Sequence, residues 1–390
     1  MKKILFIFFL ILFTIFVFSF GFYFGRDYQK AYQPPTEVNL NLFWQAWNVI
    51  NERFSDRNLI NVEKMIQGAI SGMVESLGDP NTRFFTPKET EEFIEGMQGT
   101  FGGIGIQIDI RRNQLQVISP IKNTPADRVG LRAGDKIIEI DGVSTVDMAV
   151  EEAVTRIRGV EGTNVTLTIF RQEWTENRMI KIQREIIKVP SLDWELINGN
   201  IAHLKLHHFI GRMDIDFRNV ANEILASPAE KIILDLRNNS GGYFETAKEI
   251  AGWFLERGEV IVIKDFSYNQ EQEVYRSVGP SRFAKYPIVI LINQGSASAS
   301  EILAGALRDN RGIKIIGEKS FGKGSVQELV RLGDGSSLKV TIANWLTPNQ
   351  QLITNKGLEP DIIIEKTDDD IDQDKDPQLD KAIEIIKKIR

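Results

Sequence analysis

The stretch KIILDLRNNSGG at residues 231–242 reads as an apolar strand over 231–236 that breaks at an Asn-Asn-Ser-Gly-Gly turn. A helical pattern over 246–255 follows it. The succession returns downstream: a strand over 287–292, the turn Asn293-Gln294-Gly295, then a helix from Ser298 to Arg308. Further strands are expected at 260–263, 312–316 and 336–343. Continuous apolar strands with intervening helices predict a buried, largely parallel α/β core over 188–366. Catalytic groups collect at the carboxyl ends of such strands, which singles out the turns at 238–242 and 294–300.

Upstream, from 99 to 187, the pattern changes to short strands with two helices. Gly102-Gly103-Ile104-Gly105-Ile106-Gln107-Ile108 alternates into a strand, and Val117-Ile118 and 136–140 are others. A short helix is expected at 125–131, a longer one at 149–158, and a hairpin from 165–170 and 179–186. This module resembles a PDZ domain over its whole length, through GGIGI at 102–106 and SPIKNTPADRVGLRAGDKIIEIDG at 119–142. The resemblance implies that backbone N–H groups around Gly103, Ile104, Gly105 and Ile106 receive a chain-terminal carboxylate while the peptide adds as a strand. Polypeptides with free carboxyl termini are the partners it implies.

Before the module, Phe43, Trp47, Ile50 and Phe54 recur at helical spacing, as do Met65, Ala69 and Met73. They make 31–98 a helical lead-in that follows a Pro-Pro linker at 33–38. The run from Ile4 to Gly25 is apolar but for Thr14 and Ser19; as a helix it spans roughly 33 Å, enough to cross a bilayer. Lys2 and Lys3 before it favour a cytoplasmic amino terminus. Residues 1–30 are therefore expected to be a transmembrane anchor, with the rest of the chain extracytoplasmic. A cleaved signal peptide is the competing reading, against which stand the length of the run and the lack of an A-x-A-like site.

A net charge of −6 argues against a nucleic-acid partner. The absence of cysteine excludes a thiol nucleophile, a disulfide framework and thiolate metal sites. The acidic run from Asp368 to Asp376 reads as a solvated linker within 367–390, ahead of a short amphipathic helix through Leu379, Ala382, Ile383 and Ile386.

In QGSASAS at 294–300, small residues let a substrate backbone approach, and a helix start offers N–H groups to an oxyanion. Ser-Ala repeats are also ordinary close packing and helix capping. A nucleophilic serine needs a base. Only His203, His207 and His208 are available as imidazoles, clustered on one expected strand, where surface positions are the ordinary reading. Lysine in its neutral form is the alternative, and Lys323 sits in a tight Gly-Lys-Gly turn.

The runs SASASEILAGALRDN at 296–310 and GEKSFGKGSVQEL at 317–329 resemble the carboxyl-terminal processing peptidases, with LDLRNNSGG at 234–242, Thr347-Pro348 and Gly357-Leu358-Glu359-Pro360-Asp361 as further matches. The order of lead-in, PDZ module and core matches as well. Lys319-Ser320 and Ser240 depart from the family's more usual residues. The resemblance implies a core of crotonase/ClpP-like βα units and a serine endopeptidase with Ser298 as nucleophile. Lys323, 25 residues on, is then the base, and Gln327 its hydrogen-bonded orienting partner. Oxyanion donors are expected in the backbone of Ala299 and of Gly241 or Gly242. It implies no metal or organic cofactor, gating by the PDZ module, activating or adaptor proteins, and a homo-oligomer in which the final helix packs. Three rivals stand beside it: Ser240 in a trypsin-like S-G-G with a histidine base, an anchored PDZ adaptor on an inactive core, and a crotonase-like acyl-coenzyme enzyme.

Overall fold

Apolar residues spaced three and four apart build two helices at the amino end, α1 (Asn41–Arg53) and α2 (Val62–Glu75), parted by a 3-10 turn at Arg57–Leu59. This computed structural model describes Phe13 and residues 38–389, apart from 98–99, 112–113, 122, 149, 172, 189–190, 212, 267–269, 368, 371–372 and 374. The anchor expected within 1–30, most of the Pro-Pro linker, and Asp368, Asp372 and Asp374 lie outside the described residues. Among the described residues no helix is long and apolar enough to cross a membrane. The chain divides into two units, Met1–Ala69 and Ile70–Arg390, and everything below concerns the second.

That unit opens with β1 (Arg83–Phe85) and α3 (Pro87–Met97). The PDZ-like module then runs through β2 (Thr100–Gly103), β3 (Ile106–Arg111), β4 (Gln114–Pro120), α4 (Pro125–Arg128), β5 (Lys136–Ile140), β6 (Val143–Ser144), α5 (Val150–Ile157), β7 (Asn164–Phe170), β8 (Arg178–Gln183) and β9 (Glu185–Lys188). Five strands pair in the order β3-β4-β5-β7-β8, around a core that includes Leu115, Val117, Ile137, Leu167 and Ile169.

Two expected elements are broken in two. The strand expected from 102 stops after Gly103 and restarts at Ile106, because Gly105 (φ +78°) bends where Thr124 would lie 2.4 Å from any Cβ. The strand expected over 179–186 divides at Arg184. The Arg184 guanidinium is buried on the carbonyls of Arg156, Ile157 and Asn164, and the following β9 leaves to pair with β2.

The core follows as β10 (Leu192–Ile197), β11 (Ile201–Leu206), α6 (Met213–Ala226), β12 (Lys231–Asp235), α7 (Phe244–Phe254), β13 (Val260–Asp265), β14 (Glu273–Arg276), β15 (Ile288–Ile292), α8 (Ala299–Arg311), β16 (Lys314–Gly317), β17 (Ser325–Arg331), β18 (Ser337–Leu346), β19 (Ile362–Ile363) and α9 (Pro377–Lys388). A six-stranded sheet, β10-β11-β12-β15-β16-β19, is parallel except for β10. Alternate residues explain its unbroken apolar strands: Ile232, Leu234 and Ile290 face α6, α7 and α8, while Ile233, Val289 and Leu291 face α9. The final helix, expected to pack in a dimer, thus buries Ala382 and Ile386 on its own sheet. A second, antiparallel sheet joins β1, β18, β13 and β14, with β17 on β18, and the sequence alone did not announce it.

Candidate active site

The turns after β12 and β15 lie against each other at the carboxyl end of the parallel sheet. Their contact is tight: a Cβ on Gly241 would lie 2.8 Å from Ser298 Cβ and 3.0 Å from Ala299 N. Buried polar groups fasten the two turns. Ser296 Oγ donates to Leu236 O (2.8 Å), Ser300 Oγ to Asn239 O (2.8 Å), and Ala297 N to Asn239 O (3.0 Å). The three serines of SASAS are therefore sorted. Ser296 and Ser300 are buried anchors, and half-buried Ser298 lines a cavity of about 570 Å³.

Ser298 precedes α8 with φ 55° and ψ −114°, a conformation unusual for a residue with a side chain. Glu301, one turn into α8, holds it there: Ser298 N donates to Glu301 Oε2 (2.8 Å). The same carboxylate reaches the Gly-Lys-Gly turn. Lys323 N donates to Oε2 (3.0 Å), and Gly322 N (2.7 Å) and Ser320 Oγ (2.5 Å) donate to Oε1. Glu301 is 1% exposed. Burial pushes its carboxyl up, and the four hydrogen bonds pull the other way. Glu301 stands inside the run quoted above, yet nothing in the spacing assigned it a role.

Lys323, Gln327, Ser240, Gly241 and Gly242 line the same cavity as Ser298. The expected bond from Gln327 to Lys323 does not occur among the described residues. Gln327 Nε2 donates to Ser325 Oγ (2.6 Å) instead, at a bulge between Val326 and Gln327 where β17 slips against β18. Of the oxyanion candidates, Gly241 N already donates to Asn239 Oδ1 (3.0 Å). The N–H groups of Gly242 and Ala299 take no protein partner among the described residues.

The histidines separate. His203 is 1% exposed, with its ring between Glu195 (3.2 Å) and Asp235 (3.1 Å), which corrects the expectation of a surface position. Burial would raise the Asp235 carboxyl, but His203 and Arg237 outweigh it and hold it well below the usual carboxylate range. His207 meets Asp193 (2.6 Å). His208 lines the cavity with Ser240, and burial, then His207 and Arg158, push its imidazole down. Its ring takes no hydrogen-bond partner among the described residues, so nothing orients it as a base.

In the PDZ-like module, Ile104 is buried and its carbonyl accepts from Ala126 N (2.9 Å), while Gly105 O accepts from Ile121 N (2.9 Å) and Thr124 Oγ1 (3.1 Å). Their N–H groups take no protein partner among the described residues. Gly103 ends β2, paired with Glu185, and Ile106 begins β3, paired with Pro120.

Fold and domain order define a PDZ-like module joined to an α/β core. The sequence profile of peptidase family S41 matches residues 200–364, and that of the PDZ domain residues 94–170. A protein of Bartonella bacilliformis named "Carboxy-terminal-processing protease" is 39% identical over 308 residues, 78% of this chain and 70% of the relative. A protein of Staphylococcus aureus named "Probable CtpA-like serine protease" is 35% identical over 329 residues, 84% of this chain. The chain spans 65% of that relative's length. Among solved structures, a photosystem II D1 C-terminal processing protease superposes with a TM-score of 0.55 at 26% identity, covering 83% of this chain and 92% of its own. The chain belongs to peptidase family S41, among the carboxy-terminal-processing proteases.

Proposed function

We propose that this chain is a serine endopeptidase that captures polypeptide carboxyl termini on its PDZ module and cuts near them with Ser298 and Lys323. The observation that carries this reading is Glu301: one buried carboxylate accepts from the backbone N–H of both residues, so nucleophile and base are positioned by the same group. Neutral Lys323 takes the Ser298 hydroxyl proton as Oγ attacks the scissile carbonyl. The N–H groups of Ala299 and Gly242 receive the oxyanion, and losing one such donor costs about 10²–10³ in rate. Lys323 then protonates the leaving amine, and water hydrolyses the acyl-enzyme. Gln327 leaves Ser325 to steady the lysine as its charge develops.

The terminal carboxylate is received at Ile104 and Gly105, whose N–H groups take no protein partner among the described residues while their carbonyls are hydrogen-bonded within the module. Residues 1–30 anchor the chain, and the catalytic part acts on the extracytoplasmic side of the membrane. The test is a pair of polypeptides that differ only in an apolar terminus bearing a free carboxylate or an amide. Mass spectrometry is expected to find the free acid shortened near its end at least about tenfold faster, and equal rates, or no cutting of either, would overturn the proposal. Removing 1–30 is expected to shift the chain from the membrane to the soluble fraction, and a membrane-bound truncation would refute the anchor.

A further inference from the structure

The catalytic cavity holds a second lysine that the scheme above does not use. Lys339 lies on β18, opposite Leu329 of β17, and two positions along that ladder Thr341 pairs with Gln327. Lys339 is thus the diagonal neighbour of Gln327, and both line the cavity with Lys323. Its ammonium lies 5.7 Å from the centroid of Phe85 and 5.8 Å from that of Phe93, two rings stacked 5.0 Å apart. This aromatic seat fixes the charge at the cavity wall, where a solvated lysine would roam.

Among the described residues the Lys339 ammonium forms no hydrogen bond or ion pair. Among the described residues the one carboxylate that lines the cavity, Glu245, is paired with Lys248. Asp79 acts on Lys339 from a distance, with its oxygens already accepting from Asn81 N and Thr82 Oγ1. Lys323 and Arg83 repel it. Burial pushes the ammonium down and both cations add to that, so an arriving anion would relieve a standing electrostatic cost.

We propose that Lys339 is an anion-receiving group of the catalytic cavity that binds a carboxylate carried by the polypeptide substrate beside the scissile bond. The proposal rests on the reading of this cavity as a polypeptide site. An acidic side chain of the substrate supplies that chemistry, because the terminal carboxylate is taken by the PDZ-like module on the reading above.

The experiment compares kcat/KM for one peptide series on wild type, Lys339→Met and Lys339→Arg, using the full chain. One Glu or Gln is walked through positions around the cut in peptides that all end in the same free carboxylate. In wild type, one position is expected to show a Glu-over-Gln preference of at least about tenfold. Lys339→Met is expected to bring that ratio to about one and Lys339→Arg to keep it. A wild-type ratio near one throughout, or an undiminished ratio in Lys339→Met, overturns the proposal. If no chain cuts any peptide, the peptidase reading falls and binding of the same peptides decides for Lys339. Carboxylate-dependent binding lost in Lys339→Met upholds it, and equal binding refutes it.

Discussion

Two oxygens of Glu301 receive four donors, three of them backbone N–H groups of Ser298, Gly322 and Lys323. An amide in its place has one acceptor oxygen, so two donors lose their partner and the turns can part. Misplacement by about 1 Å costs on the order of 10²-fold. Glu301→Gln is therefore expected to lower kcat about 10²-fold with KM within about twofold, because Glu301 does not line the cavity. A rise in KM with kcat preserved would place the residue in substrate binding instead. The motif SASAS made Ser298 legible from sequence, whereas Glu301 was not: an acid in the first turn of a helix reads as ordinary capping. His203 escaped for a related reason, since its partner Asp235 stands 32 residues away on a neighbouring strand.

At the scale of elements, the apolar strands and most helices were readable, but their breaks depend on distant contacts. Gly105 bends against Thr124, and Arg184 turns inward to the end of α5, neither visible in local periodicity. The last helix shows how an element is fastened. Asp376 caps α9 by accepting from Leu379 N (3.0 Å), and Arg237 Nη1 bridges to it (2.8 Å) from the end of β12. Burial would raise the Asp376 carboxyl, but Arg237 outweighs it and the net shift is downward. A carboxyl held low in the folded state contributes stability above the ordinary carboxylate range and loses it as pH falls through the lowered value. Asp376→Asn keeps the cap and removes the ion pair. It is expected to cost about 1–2 kcal/mol at neutral pH, with the gap to wild type closing in acid; thermal unfolding at neutral pH and at about pH 3 checks both. An unchanged gap in acid would assign the loss to packing.

For the molecule as a whole, the parallel sheet was legible because its strands are apolar on both faces, and the PDZ-like module because its motif spans its length. The second sheet was not, because β1 reaches β18 across some 250 residues of chain: Arg83 pairs with Lys339. That pairing brings α3 to the cavity lined by Ser298, where Phe93, Ile94, Gly96 and Met97 line it, and α3 leads directly toward β2 of the PDZ-like module. On the proposed reading, terminus capture and cleavage fall within one unit of the chain. The central claim is that Ser298 and Lys323 perform the cut, and the direct measurement is cleavage of an unfolded protein with an apolar carboxyl terminus. Ser298→Ala and Lys323→Ala are expected to lose activity by at least about 10³-fold while Ser240→Ala retains it. Wild-type cleavage by Ser298→Ala, with loss in Ser240→Ala, would contradict the account and transfer the chemistry to Ser240 and His208.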